Sequence, residues 1–151
     1  MTSSAEPAGH AQPVEFDLPM AQKALESQPF SRLIGARMTA FGEGAATLEI
    51  DIREELHQQN GFVHGGVLSY AADNALTFAG GSALGPAVLT GGFAIQYVRP
   101  ATGRTLRARA EVVHAGRRQA VVRCDVFTVT DDGTETLCAV AQGTALPLRT
   151  S

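Results

Sequence analysis

The residues best suited to chemistry lie together in one stretch, HQQNGFVHGGVLSYAADNALTFAGG, which covers residues 57–81. Its His64, Gly65 and Gly66 open an otherwise apolar run. Glycines suit the start of a helix, where the first backbone N–H groups have no internal partner and the helix dipole is positive. Such donors stabilise an oxygen on which negative charge develops. The pattern therefore predicts one half of a site for acyl transfer.

Asp73 is the candidate for the other half. A carboxylate inside a buried helix is costly unless it is paired or faces a cavity. No Lys or Arg lies within two turns of Asp73, and Thr77 shares its helix face one turn further on. Two interpretations follow. Asp73 is either a helix-face residue satisfied by Thr77 and backbone groups, or a nucleophile or general base held in a cleft.

The spacing of these two groups has a consequence for assembly. Gly65 and Asp73 are eight residues apart, which is roughly 12 Å along a helix that rises about 1.5 Å per residue. One substrate carbonyl cannot touch both groups on a single chain. A common site therefore requires two subunits, and a two-fold dimer, the commonest assembly, would form two such sites.

Periodicity predicts the elements that must position these residues. We expect a short helix from about Pro19 to Ser27, followed by a turn. The run GAATLEIDIR alternates apolar and polar residues and predicts a half-buried strand, with MTAF in its hairpin partner. The long segment from Val67 to about Leu84 is apolar nearly all round, which predicts a helix covered on several sides.

Four further strand-like runs follow that helix, and we expect them to form a meander. They are AVLTGGFAIQYVRPA, TLRARAEVV, AVVRCDVFTV and ETLCAVAQGTALPL. Opposite charges on the polar strand faces, such as Glu49 and Arg107, predict cross-strand pairing. The order of hairpin, buried helix and meander predicts an α+β fold in which one antiparallel sheet curls around one central helix.

Composition narrows the class of protein. The 151 residues carry a net charge of −3 and are 44% hydrophobic, which indicates one globular domain and argues against nucleic-acid or anionic-membrane partners. Residues 1–15 are predicted to be a disordered lead before a single domain at 16–151. The lead lacks a signal-peptide pattern, and no apolar run is long enough to span a membrane. We expect Cys124 and Cys138 to be reduced core residues of a soluble cytoplasmic protein.

The opening stretch resembles the signature of hotdog-fold acyl-CoA thioesterases of the phenylacetate-pathway (PaaI-like) type. That signature has Asn or Gln, then Gly, then His-Gly-Gly, then an acidic residue nine positions after the His, and here it is matched by Gln58, Gly61, 64–66 and Asp73. The resemblance covers residues from about 30 to 148, including AIQYVRPA and a Gly-Arg-Arg turn. It implies a sheet wrapped around one long helix, a homodimer usually paired into a tetramer, and active sites at the subunit interface.

The resemblance also implies roles for individual residues. Asp73 corresponds to the acidic nucleophile or general base, and the Gly65 N–H to the donor that polarises the thioester carbonyl. Gln58 would help to hold that carbonyl or the attacking water. Asn is the commoner family residue at position 58, so Asn60 is an alternative to Gln58. His64 would have a structural or carbonyl-orienting role.

The remaining candidates would position water or bind coenzyme A. Thr90 lies near the position of the family's Ser or Thr that orients water, and Thr77 is the alternative candidate for that role. Phosphates of coenzyme A require cations, for which the candidates are Arg99, Arg104, Arg117 and Arg118, although solubilising turn charges are the alternative. Gly66 would let the substrate approach the backbone at the start of the helix. Four other glycines would either line the acyl pocket or allow close helix–sheet packing: Gly80, Gly81, Gly91 and Gly92.

Two functions fit these residues. The first is hydrolysis of a small, medium-chain or aryl acyl-CoA, and the second is non-catalytic acyl-CoA binding on the same fold. Retention of Asp73 beside a complete His-Gly-Gly favours the enzyme. A hotdog dehydratase would need a catalytic His paired with an acid in another arrangement, and His57 with His64 makes a poor metal-ligand set. We therefore expect no cofactor, since coenzyme A is part of the substrate. The acyl group and the choice between direct attack and water activation stay open.

Overall fold

The computed structural model describes residues 16–148 and has the predicted α+β architecture. A six-stranded antiparallel sheet wraps around one long helix, which packs against every strand. This confirms the predicted hotdog fold. The helices are α1 (Leu18–Glu26), α2 (Pro29–Ile34) and α3 (Gly65–Leu84), and the strands are β1 (Ala36–Gly42), β2 (Ala45–Asp51), β3 (Val88–Tyr97), β4 (Thr105–Ala115), β5 (Ala120–Val129) and β6 (Glu135–Pro147).

The strand order is β1-β2-β4-β5-β6-β3, so the predicted four-stranded meander is wrong in one respect. Strands β4, β5 and β6 are consecutive neighbours, but β3 pairs with β6 at one edge, and the β1–β2 hairpin joins β4. Alternating hydrophobicity tells which strand face is buried but not which strand lies next to which. The chain leaves α3 and reaches the sheet edge opposite the hairpin, so the sheet spans the helix from both sides.

Helix α3 begins two residues before the predicted Val67 and runs for 20 residues. Ten of its residues are buried, as the nearly continuous apolar sequence predicts. Five half-buried residues in the first two thirds of the helix share one face, which we call the polar face of α3: Ser69, Tyr70, Asp73, Asn74 and Thr77. This part of the central helix therefore presents a polar stripe that is not fully buried.

Close packing sets the distance between α3 and the sheet. A Cβ added at Gly80 would lie only 2.5 Å from the Cβ of Ala145 on β6. Gly80 therefore serves helix–sheet packing, which was one of its two predicted roles. Cys124 and Cys138 are buried free thiols, as predicted, and burial raises the pKa of Cys124 to about 12, so it stays a thiol.

The N-terminal part of the described chain differs from prediction in one element. Helix α1 agrees to within a residue, but the segment predicted as a turn forms α2. Pro29 occupies the first turn of α2, where its missing N–H costs nothing, and Gly35 ends the helix with a positive φ of 84°. The predicted lead at 1–15 lies outside the described residues. Among residues 16–148, none of the helices has the length and apolar character needed to cross a bilayer.

Candidate active site

Asp73 is held by two threonine hydroxyls. Thr90 on β3 donates a hydrogen bond to Asp73 Oδ1, and Thr77 Oγ1 lies 2.6 Å from Thr90 Oγ1 and 3.5 Å from Asp73 Oδ1. The two rival threonines thus meet at the same carboxylate oxygen. Within residues 16–148, Asp73 forms no ion pair and its Oδ2 has no hydrogen-bond partner. The carboxylate is anchored through one oxygen and available through the other.

An irregularity in β3 brings Thr90 to this position. The β3–β6 register shifts between Thr90, which pairs with Ala145, and Gly92, which pairs with Thr144. Such a bulge re-aims the neighbouring side chains. A Cβ on the intervening Gly91 would lie 2.5 Å from Thr144 Oγ1, whereas Gly92 is exposed with nothing within 4 Å. Gly91 therefore serves close packing at the bulge, and neither glycine contacts the carboxylate.

The start of α3 offers one backbone donor. His64 is the N-cap, and its Nδ1 accepts a hydrogen bond of 2.8 Å from the N–H of Gly66. The N–H of Val67 donates to the carbonyl of His64 at 2.9 Å. The Gly65 N–H has no partner among the described residues. His64 thus has a capping contact, and Gly65 rather than Gly66 presents the available donor.

A surface cavity of about 360 Å³ lies beside this donor. We call it the Gly65 cavity, and its walls include Gln58, Phe62, Leu68, Tyr97 and Arg99. Gln58 Oε1 accepts a hydrogen bond from the backbone N–H of Asn60, which leaves the amide NH₂ of Gln58 as a donor. Asn60 is exposed and does not line the cavity. Of these two candidates, only Gln58 lies in the same cavity as Gly65.

Tyr97 is a site residue that the sequence did not single out. At the end of β3 its hydroxyl donates to the carbonyl of Gly65 at 3.0 Å and lies 2.7 Å from Ser69 Oγ. Its ring also occupies the space in front of Gly65, since an added Cβ there would lie 3.2 Å from Tyr97 Cζ. The only signal was its presence in AIQYVRPA, because nothing local in the sequence places that strand end beside the start of α3.

The candidate arginines are dispersed in one subunit. Arg99 lines the Gly65 cavity, and its Nη1 donates to the Leu137 carbonyl at 3.0 Å. Arg104 pairs with Asp131 at 2.9 Å in an exposed position. The other two, Arg117 and Arg118, lie in the exposed turn between β4 and β5 and do not line the cavity.

A second cavity lies beside the C-terminal part of the polar face of α3. This Thr77 cavity has a volume of about 130 Å³, and its walls include Phe16, Gln28, Asn74, Thr77, Phe78 and Gly81. Thr77 connects it to the Asp73 carboxylate. The two cavities share no lining residue. Within one subunit, therefore, Gly65 lines only the first of these cavities, and Asp73 lines neither of them.

Comparison with known proteins identifies the family. Residues 60–135, half of the chain, match the family model described as the thioesterase superfamily. The chain belongs to that superfamily. The solved structure of a thioesterase family protein from Silicibacter pomeroyi is 31% identical, with a TM-score of 0.80 over 86% of this chain and 96% of that one. A mutant structure of the phenylacetic acid degradation protein PaaI from Thermus thermophilus is 27% identical, with a TM-score of 0.69 over 80% of this chain and all of that one.

A curated relative carries a more specific name. The 1,4-dihydroxy-2-naphthoyl-CoA hydrolase of Listeria monocytogenes is 26% identical over 107 residues, which are 70% of this chain and 85% of that protein. Together these similarities confirm the PaaI-like resemblance, and the protein is a hotdog-fold thioester hydrolase.

Proposed function

We propose that this thioesterase hydrolyses acyl-CoA to a free acid and coenzyme A at sites shared between two subunits. One subunit would supply Gly65 and Gln58, and its partner Asp73, Thr77 and Thr90. The observation that carries the proposal is that the unpartnered Gly65 N–H and the hydroxyl-anchored Asp73 lie on one helix, while Asp73 does not line the cavity that Gly65 borders. A two-fold dimer of such helices brings complementary halves together twice.

The Gly65 N–H would stabilise the oxyanion. As the thioester carbonyl is attacked, its oxygen gains negative charge, and a backbone donor at the positive end of a 20-residue helix is already oriented towards it. Gln58 can add its amide NH₂, since its Oε1 is occupied by Asn60 N–H. Donors of this kind contribute roughly a hundredfold to a thousandfold in rate.

Asp73 would carry the reaction through Oδ2, because Oδ1 is held by the threonine hydroxyls. In one route Oδ2 attacks the carbonyl carbon, coenzyme A leaves as the thiolate, and water hydrolyses the resulting anhydride. In the other route Oδ2 takes a proton from water as that water adds to the carbonyl. Both consume one water and release one acid and one thiol, and neither needs a cofactor. Heavy oxygen found in Asp73 after a single turnover in heavy-oxygen water would establish direct attack, because water that opens the anhydride at the aspartyl carbonyl leaves its oxygen there, whereas water activation never labels Asp73.

The two cavities suggest how the substrate would lie. The Thr77 cavity is walled by Phe16 and Phe78, and the hydroxyl of Thr77 contacts the Asp73 carboxylate, so we assign the acyl group to this cavity. Its volume of about 130 Å³ is near that of a cavity that holds a single benzene ring, which favours a compact aryl or short acyl group. The Gly65 cavity would take the pantetheine arm beside Arg99, while Arg117 and Arg118 are candidates for the nucleotide phosphates. A cytoplasmic location, where acyl-CoA is made and used, belongs to the same proposal.

A thiol-release assay across an acyl-CoA panel tests the activity. We expect release from aryl and short-chain substrates and much less from palmitoyl-CoA, which is too long for the Thr77 cavity. Binding of acyl-CoA without any thiol release would instead support the non-catalytic alternative.

A mixing experiment tests the shared site. Gly65→Pro and Asp73→Asn chains, each expected to keep only about one hundredth of the wild-type activity, are co-expressed with different tags. Half of the resulting dimers should be mixed, each with one intact site, so activity should return to about a quarter of the wild-type value. No recovery in purified mixed dimers would place both groups of each site on one chain.

A further inference from the structure

Helix α3 begins with a turn that is intrinsically weak. Gly65 and Gly66 are its first two residues, and each glycine in a helix costs up to about 1 kcal/mol relative to alanine. Glycine also leaves the backbone without a side chain to pack against its surroundings. A donor that stabilises an oxyanion must nevertheless keep a fixed direction, because its contribution depends on being oriented before the reaction. Something outside the helix must therefore hold this turn.

Two side chains form hydrogen bonds with this turn. His64 caps the turn through the 2.8 Å hydrogen bond from Gly66 N–H. Tyr97 reaches it from β3, since its hydroxyl donates to the Gly65 carbonyl at 3.0 Å. The single hydroxyl hydrogen of Tyr97 is used in that bond, so the Ser69 hydroxyl is the donor in the 2.7 Å contact with Tyr97 Oη. Tyr97 thus connects two residues one helical turn apart.

The ring of Tyr97 completes the contact. Its Cζ, Oη and Cε1 atoms lie 3.2, 3.3 and 3.5 Å from the position that a Gly65 Cβ would take. The ring therefore packs against the bare Cα and replaces the side chain that Gly65 lacks. Tyr97 also lines the Gly65 cavity, so its ring and the Gly65 N–H border the same space.

We propose that Tyr97 is a positioning residue that fixes the direction of the Gly65 N–H through its bonds to the first turn of α3. This inference rests on the proposed oxyanion role of Gly65. It assigns to β3 a second contribution besides Thr90, at the opposite end of the strand.

Tyr97→Phe tests the inference because it keeps the ring and removes only the hydroxyl. We expect kcat for acyl-CoA hydrolysis to fall about tenfold, which corresponds to the loss of one hydrogen bond, with KM within about twofold of wild type. A purely structural role would lower the melting temperature and leave the kcat of the folded enzyme unchanged. Full kcat in Tyr97→Phe would overturn the proposal.

A double-mutant cycle shows whether the hydroxyl acts through Gly65. Gly65→Pro removes the N–H, so adding Tyr97→Phe to it should cost nothing more. Tyr70→Phe is the matched control, because it removes another phenol from α3 that contacts Ser31 rather than Gly65. Any loss that it causes should persist in the Gly65→Pro background. If Tyr97→Phe causes the same loss in the wild-type and Gly65→Pro backgrounds, its hydroxyl does not act through the Gly65 N–H. That result would contradict the inference.

Hydrogen exchange provides a readout that does not depend on turnover. In Tyr97→Phe the amides of the first turn of α3 should exchange faster, while those of the middle of the helix keep their wild-type rates. Unchanged exchange in that turn would overturn the positioning role even if activity falls. Absence of thiol release from the wild-type enzyme would instead refute the proposed function itself, so the two failures are distinguishable.

Discussion

Two carboxylates of this molecule lie in opposite electrostatic surroundings. Glu135, on the outer face of the sheet, contacts Arg107 and Arg109 at 2.6 Å each. Hydrogen bonds from Arg109 and then Arg107 lower the pKa of Glu135. Asp73, on the polar face of α3, is contacted by the hydroxyls of Thr77 and Thr90 and by no cation among the described residues.

The difference separates a structural carboxylate from one available for reaction. A guanidinium group neutralises the charge of the carboxylate that it contacts and donates hydrogen bonds to its oxygens. Hydroxyl groups orient a carboxylate without cancelling its charge, and one oxygen of Asp73 stays without a partner. The contrast predicts that changes at Asp73 alter activity and that changes at Glu135 alter only stability.

The largest effect is expected at Asp73 itself. Asp73→Asn keeps the shape and the threonine contacts but removes the charge, so kcat should fall by about a hundredfold or more. Thiol release under saturating acyl-CoA measures it. The matched control is Asp51→Asn, on the exposed Arg37–Asp51 pair, which should retain wild-type kcat. Equal activity of Asp73→Asn and the control would remove Asp73 from the mechanism.

The next effect concerns the helix start. Gly65→Pro deletes the N–H at a position where proline suits a helix, and His64 already has the extended backbone (φ −58°, ψ 135°) that precedes proline. We expect a loss in kcat of roughly a hundredfold.

Gly65→Ala is the control for Gly65→Pro, because it adds a side chain against Tyr97 but keeps the donor. Its loss should be clearly smaller. Similar losses in both variants would attribute the effect to crowding at Tyr97 and not to the missing N–H.

A smaller loss is expected when the anchor of Asp73 is removed. Thr90→Val deletes the hydroxyl that donates to Asp73 Oδ1, and kcat should fall about tenfold, in line with one hydrogen bond. Thr39→Val is the control, since Thr39 has only a 3.4 Å contact to a backbone carbonyl. Steady-state kinetics on both variants measure the difference, and an unchanged kcat in Thr90→Val would show that Asp73 needs no such anchor.

The smallest effect is expected at Glu135, where Glu135→Gln should leave kcat unchanged and lower the free energy of unfolding by less than about 1 kcal/mol. The folded-state pKa of Glu135 is depressed from an ordinary value near 4.5. Its contribution is therefore present above that value and is lost as the pH falls through the folded-state pKa. Urea melts at neutral pH and below pH 4.5 should show the variant and the wild type converging in acid. A constant difference across that range would contradict the ion-pair explanation.

Sequence patterns predicted which face of each strand is buried, but they did not predict which strands are adjacent in the sheet. Apolar alternation identified the buried sides of β2, β4 and β5, including the fully buried Leu48, Leu106 and Val122. Strand adjacency was beyond reach, because periodicity contains no pairing information, and β3 was misplaced for that reason. The turn predicted after the first helix is helix α2, because proline fits the first turn of a helix and Pro29 starts one here.

In the candidate site, too, the sequence predicted relations within one element but not contacts between elements. Gly65, Asp73 and Thr77 lie on one helix, so their spacing alone predicted their relation. Thr90 required the family resemblance, and Tyr97 was missed because its contact joins residues 32 positions apart. The sequence also did not predict that Arg117 and Arg118 lie outside the Gly65 cavity, because that depends on where the fold places the β4–β5 turn.

The close approach of Gly80 to β6 has a consequence for how this sequence can change over time. Gly80 packs on Ala145, and Ala145 is the residue that pairs with Thr90, whose hydroxyl holds Asp73. A methyl group at either small residue would push the strand away from the helix and separate that hydroxyl from the carboxylate. Most substitutions at positions 80 and 145 should therefore abolish activity, although neither residue touches the carboxylate. A saturation scan scored by thiol release should show that almost no replacement at either position keeps the enzyme active.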